Sequence, residues 1–260
     1  MQQPLSDEVP HPDGSRVAFF GGSFDPPHLG HLAIARAARD AFHLDAVLFA
    51  PVGTQPLKPE GPAASFADRL AMTRLAIEGE LGFAISLVDA PKHSESSPGA
   101  RNYMPNYTID TLKEMRAALA PDSVLFCLMG ADSFFGLRQW HRAAEIPFVA
   151  TLIVAWRPGQ SHDNLREALP EGLALTPSPG GDTIQSVVEV RTFLLTDSAG
   201  NRAQLHVLPG LDIEISASAV RDSLRAGESA AAGPPSAASA LPEPVADYIR
   251  SHGLYRDRAR

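Results

Sequence analysis

The chain has 260 residues, enough for one large α/β domain or at most two ordinary ones. Its 22 basic and 30 acidic residues give a net charge of −8, which speaks against a generic nucleic-acid binder because affinity for a polyanion rests on a basic footprint. With 44% hydrophobic and 20% charged residues the chain is not disordered in bulk, and its single cysteine, Cys127, excludes an intrachain disulfide or a cysteine metal cluster.

Residues 1–15 are polar, with Pro4, Pro10 and Pro12, and read as a disordered lead-in, neither signal peptide nor anchor. No stretch approaches the roughly 18 apolar residues of a membrane span, so no membrane partner is expected, and the cytoplasm suits a chain without export signal or disulfide. Residues 16–20 (RVAFF) are the first strand candidate. A Gly/Pro turn follows, then a helix over 29–42 with Leu32, Ala35, Ala38 and Phe42 along one side. Further strands are expected at 45–50, 83–88, 123–129 (SVLFCLM) and 148–155, and helices at 65–78 and 108–119. The near-continuous apolar run at 123–129 suggests a strand covered on both faces. Strands alternating with helices argue for a Rossmann-like parallel sheet with helices on both sides.

After Arg157 the pattern changes. Residues 187–195 and 203–208 are β-rich and flank an Asp-Ser-Ala-Gly-Asn turn signal, which predicts an inserted β-hairpin near the C-terminal third. A short strand is expected at 213–215, a helix at 218–225, a mobile Ala/Ser/Gly/Pro loop at 226–240, and a closing helix around 244–252. No internal repeat or second core is evident, so residues 16–260 read as one domain.

The chemistry concentrates in residues 21–31, GGSFDPPHLGH. Two glycines after a strand let the backbone approach a ligand closely, and the helix that follows offers free N–H groups to an anion. The run lacks the Gly-Lys-Ser/Thr ending of a P-loop and the G-x-G-x-x-G of a dinucleotide fold. His28 and His31, three apart at the helix start, can lie on one face and point into the same crevice. A metal site of Asp25, His28 and His31 is the weaker reading, because a helix N-terminus prefers anions and no second ligand cluster supports a cage, so no protein-bound metal is expected. Residues 215–221 (ISASAVR) form a second constellation. Its serines suit a helix N-terminus and phosphate oxygens, and Arg221 offers a planar fork.

Together GGSFDPPHLGH and ISASAVR resemble the nucleotidyltransferase superfamily marked by an HxGH histidine pair and a C-terminal serine/arginine motif. Within it the chain is most similar to the bacterial nicotinate-nucleotide adenylyltransferases. That likeness is carried also by residues 106–112 (NYTIDTL), 130–133 (GADS) with Trp140 downstream, 157–159 (RPG) and the ending LPEPVADYIRSHGLY, so it spans residues 21–255. The resemblance implies transfer of AMP from ATP to nicotinate mononucleotide, with pyrophosphate released and Mg²⁺ accompanying ATP. Carried over position by position, it implies catalytic roles for His28, His31, Lys58 and Arg221, and an ATP site of Gly22, Ser23, Phe24, His28, His31, Ser216, Ser218 and Arg221. Tyr107, Thr108, Asp132 and Trp140 would hold nicotinate mononucleotide, with Trp140 stacked on the pyridine.

Two departures stand out. The family commonly carries Pro-Pro-His-Lys where this chain has Gln55-Pro56-Leu57-Lys58, and the hairpin region 185–208 is longer than the family suggests, open to reading as a lid, a dimer contact or decoration. The alternatives left by the sequence are a related enzyme acting on nicotinamide mononucleotide or phosphopantetheine, and a nucleotide sensor that keeps the fold without turnover. It leaves the oligomeric state open, a homo-oligomer included.

Overall fold

A computed structural model of the chain describes residues 12–57, 60–93, 103–156, 164–178, 183–185, 188–208, 215–226 and 237–256. In chain order the elements are β1 (Arg16–Gly22), α1 (Leu29–Phe42), β2 (Ala46–Pro51), α2 (Phe66–Ile77), β3 (Phe83–Ile85), β4 (Lys92–His93), β5 (Tyr103–Met104), α3 (Thr108–Ala118), β6 (Val124–Gly130), α4 (Ala131–Phe135), α5 (Ile146–Val149), β7 (Thr151–Ala155), α6 (Leu165–Ala168), β8 (Ala174–Pro177), β9 (Thr183–Gln185), β10 (Val188–Thr196), β11 (Arg202–Leu208), α7 (Ala217–Arg225) and α8 (Glu243–His252).

The main sheet runs β3-β2-β1-β6-β7-β11-β10-β8, and every pairing from β3 to β11 is parallel. Its central strands are apolar on both faces because both faces are covered. All six residues of β2 are buried, and along β1 Val17 and Phe19 join one core layer while Ala18 and Phe20 join the other. Helices α1, α2 and α8 cover the second layer, and α3 to α6 cover the first. Helix α1 buries Leu32, Ala35, Ala38 and Phe42 on one stripe, as the 3.6-residue period requires, and stops where His43 turns left-handed at φ 47°. Helix α2 starts at Ser65, whose hydroxyl accepts the Asp68 N–H at 3.1 Å.

The chain first winds from β1 outward to β3, then returns across β1 to build β6, β7 and β11 on the other side. The strand order therefore reverses between β1 and β6. At such a switch point the loops leaving the carboxyl ends of the two strands diverge and open a crevice.

Several expectations need correction. The third strand ends at Ile85, not residue 88, and residues 148–149 belong to α5 rather than to the strand that follows it. Ile215 is not in a strand, while residues 213–214 lie outside the described set, as do the lead-in 1–11 and residues 227–236 of the low-complexity segment. Residues 237–240 form a 3-10 turn. The hairpin is present, closed by the Asp197 carboxylate, which accepts from the N–H groups of Ala199 at 2.9 Å and Asn201 at 2.8 Å. Its second arm β11 is the sixth parallel strand of the core, and β10 and β8 continue the sheet antiparallel beyond it. The extra length thus widens the sheet. Short apolar and mixed runs such as α4 to α6 carry too few residues for a periodicity signal, which is why the sequence did not reveal them.

Candidate active site

A cavity of about 860 Å³ opens at the switch point, between the loops that leave β1 and β6. Its first wall is the turn after β1. A Cβ on Gly21 would lie 2.5 Å from the Phe19 ring, which would have to shift, and one on Gly22 would lie a tight 3.3 Å from that of Phe24. Phe24 then takes a left-handed backbone, φ 46°, which turns its ring inward to meet Phe20 at 5.6 Å and His31 at 5.0 Å.

His28 caps α1 and His31 sits in its first turn, so the helix start places the two imidazoles together, stacked at 3.7 Å with 28° between their planes. The His28 N–H donates to His31 Nδ1 at 3.1 Å. A nitrogen that accepts cannot carry the proton, which assigns the His31 proton to Nε2. His28 is 7% exposed, and its burial lowers its pKa to about 4; burial, and then the neighbouring His28, hold His31 well below the usual histidine value. Burial thus favours the neutral ring at both positions, each with one N–H to offer. The Nδ1 of His28 is buried and has no partner.

Asp25, 4% exposed, is the knot of this corner. One carboxylate oxygen accepts the Ala63 N–H at 2.7 Å, and the other accepts the Ala64 N–H at 3.1 Å and the Tyr255 hydroxyl at 2.6 Å. Its main-chain carbonyl takes Nη1 of Arg221 at 2.6 Å. Among the described residues no three His, Cys, Asp or Glu converge as a metal cage, and Asp25 is already committed to these donors.

Arg69 escaped the sequence reading altogether. It is 1% exposed, and its guanidinium donates to the carbonyls of Ser23 at 2.7 Å and Val52 at 2.9 Å, tying the turn after β1 to the end of β2. Burial lowers its pKa, with Asp25 opposing that effect. In sequence it is one basic residue on an amphipathic helix, and nothing local distinguishes it from a solvated one. Gln55 was also missed; its side-chain carbonyl accepts the Ser23 hydroxyl at 2.9 Å.

Helix α7 forms the next wall. Ser216 caps it, accepting the Ala219 N–H at 3.1 Å, and Arg221 donates through Nη2 to the Ser218 hydroxyl at 3.1 Å. On the far side Asn106 pins the start of α3 by exchanging hydrogen bonds with the backbone of Thr54 at 3.0 Å and donating to the Ala90 carbonyl at 3.1 Å. The buried Asp89 accepts the Thr111 hydroxyl at 2.8 Å, and desolvation raises its pKa. Tyr107 therefore stands at a fixed N-cap, its ring 4.4 Å from that of His141 and beside the half-buried Trp140. Asp132 and Ser133 lie exposed in the first turn of α4, whose cap is Gly130.

Gly22, Ser23, Phe24, His28, His31, Tyr107, Thr108, Asp132, Trp140, Ser216, Ser218 and Arg221 all line this one cavity. Lys58 and residues 157–159 lie outside the described residues, and Leu57 stands at the cavity rim, 53% exposed. The N-terminal ends of α1, α3, α4 and α7 also face it. The positive ends of these helix dipoles favour anions there in a chain whose net charge is −8.

Residues 19–222 match the cytidylyltransferase-like family model. A probable nicotinate-nucleotide adenylyltransferase of Gloeobacter violaceus is 38% identical over 93% of this chain and 97% of its own length. One of Stenotrophomonas maltophilia is 37% identical over 92% and 96%. Among solved structures, the Plasmodium falciparum nicotinic acid mononucleotide adenylyltransferase complexed with NaAD superposes with a TM-score of 0.62 at 16% identity, covering 93% of this chain and 97% of that one, which speaks for the fold.

Proposed function

The chain belongs to the cytidylyltransferase-like family and, within it, to the nicotinate-nucleotide adenylyltransferases, and from that premise we propose that it transfers AMP from ATP to nicotinate mononucleotide, giving nicotinate adenine dinucleotide and pyrophosphate. The observation that carries the reading is the single cavity, where the stacked His28 and His31, the Ser216-Ser218-Arg221 corner and the Tyr107-Trp140 corner meet.

The mononucleotide phosphate attacks the α-phosphorus of ATP; a new P–O bond forms as the bond to pyrophosphate breaks. With a second phosphate pKa of about 6, the attacking oxygen is already anionic at pH 7, so no general base is needed. The protein's work is to align attacking oxygen, phosphorus and leaving group, and to stabilise charge on the leaving side. His31 Nε2–H and the His28 ring donate to phosphate oxygens as neutral groups. Arg221 brings a fixed positive charge, with Ser216 and Ser218 beside it, and Lys58 would supply a further one. Backbone of Gly22, Ser23 and Phe24 lines the ATP side. Trp140 stacks on the pyridine, and the free N–H groups at the start of α3, by Tyr107 and Thr108, receive its carboxylate, with Asp132 between the two nucleotides. Mg²⁺ would accompany ATP as part of the substrate, with phosphates and water as its ligands, which suits a cavity where the Asp25 carboxylate is already engaged by Ala63 and Tyr255.

Pyrophosphate release measured in parallel with the acid and amide mononucleotides tests this reading. Faster turnover of the acid is expected; equal or faster turnover of the amide, or activity only with phosphopantetheine, would overturn it. ATP binding without turnover would make the chain a sensor.

A further inference from the structure

We propose that the Tyr255 hydroxyl, near the end of the chain, is a positioning group for ATP, acting through Asp25 on the guanidinium of Arg221. The inference rests on the adenylyltransferase reading and deepens it. Tyr255 does not line the cavity, whereas Asp25 and Arg221 do. It reaches Asp25 because α8 ends at Gly253, φ 61°, and the chain turns back with Tyr255 itself left-handed at φ 62°. A tyrosine held in that backbone conformation is uncommon, and here it delivers a hydroxyl to a carboxylate 230 residues earlier at 2.6 Å.

The consequence lies in what Asp25 would otherwise do. Arg221 Nη1 stands 3.9 Å from one Asp25 carboxylate oxygen, close enough for attraction and too far for a hydrogen bond; its short bond goes to the Asp25 main-chain carbonyl. The opposite carboxylate oxygen is anchored by Tyr255 and, more weakly, by Ala64. With the hydroxyl removed, the carboxylate keeps its charge but loses its shortest donor on that side. The oxygen facing Arg221 still accepts the Ala63 N–H at 2.7 Å, so a small shift of the carboxylate about that contact is what closes the 3.9 Å gap, and a closed Asp25–Arg221 pair withdraws from ATP a cation that faces its phosphates. Tyr255 therefore keeps Arg221 near Asp25 without letting the two neutralise each other.

The test compares Tyr255→Phe with Tyr248→Phe, whose hydroxyl on the preceding helix α8 bonds Asp68 at 3.1 Å and does not touch Asp25. Steady-state pyrophosphate release is followed with ATP varied at saturating nicotinate mononucleotide, and the reverse, on wild type and both variants. Wild-type turnover checks the underlying reading by itself. Tyr255→Phe should raise the KM for ATP about tenfold, the effect expected of one hydrogen bond to a charged group, and leave the KM for the mononucleotide within about twofold. Tyr248→Phe should leave both unchanged. An unchanged KM for ATP in Tyr255→Phe, a parallel rise in both KM values, or the same effect in both variants would overturn the proposal. So would a Tyr255→Phe protein that fails to fold, because the hydroxyl would then serve the fold and not the ATP corner.

Discussion

Lowering the pH from 7 to 5 should cost this protein folding stability through its buried histidines, and His28 allows the amount to be worked out. Unfolded, its imidazole titrates near 6.5; folded, burial lowers that to about 4. Since the folded value is the lower one, the unfolded chain binds the proton first as pH falls. The contribution is complete above about 6.5 and is lost progressively down to about 4. Between pH 7 and 5 the unfolded ring goes from mostly neutral to almost fully charged while the folded ring stays mostly neutral, a difference of about 2 kcal/mol. At 7% exposure little solvent screening reduces it. His206, lowered to about 4 by burial and then by Arg16, adds a similar amount, and His31 acts in the same direction. Urea unfolding of wild type and His28→Asn, without nucleotide, at both pH values measures this. The variant should lose about 2 kcal/mol less than wild type on acidification. Equal losses would refute the view that His28 is stored as a neutral buried ring.

Trp140→Ala should raise the KM for nicotinate mononucleotide about tenfold or more, as loss of one ring stack implies, with the KM for ATP little changed in the same assay. Arg221→Lys keeps the charge but loses the planar fork that now spans Asp25 and Ser218; kcat/KM for ATP should fall about ten- to a hundredfold. Arg69→Met leaves the Ser23 and Val52 carbonyls without donors and should lower stability by about 3 kcal/mol in urea unfolding, along with weaker ATP binding. The acid limb of kcat/KM should sit near pH 6, set by the mononucleotide phosphate and not by the histidines, and should stay there in His28→Asn.

Much of this molecule is written locally. The period of Leu32, Ala35, Ala38 and Phe42 gives α1 residue for residue, and the apolar runs give β2, β6 and β7 to within a few positions, because burial on both faces leaves no room for polar residues. GGSFDPPHLGH and ISASAVR are legible since close approach to a ligand and helix capping restrict residue types at fixed short spacings. Arg69 is not legible, and Tyr255 is legible only as the close of a family-like ending, not in its contact with Asp25. Each looks like an ordinary surface residue until folding brings it to partners 17 to 46 residues away in one case and 230 in the other.

The hairpin shows the same division. Its turn and two arms follow from the sequence, but that β11 pairs with β7 as a core strand depends on a pairing no local pattern encodes. The sequence by itself thus determined the longer elements, the family and the inventory of phosphate-handling groups. Only the tertiary structure decided that His28 and His31 are buried and stacked, that Asp25 ties residues 63–64 to Tyr255 near the chain end, and that several helix N-termini meet at one cavity. Those properties arise from desolvation, from donors supplied by distant segments and from helix N-termini converging at one switch point, and each exists only once the chain has closed.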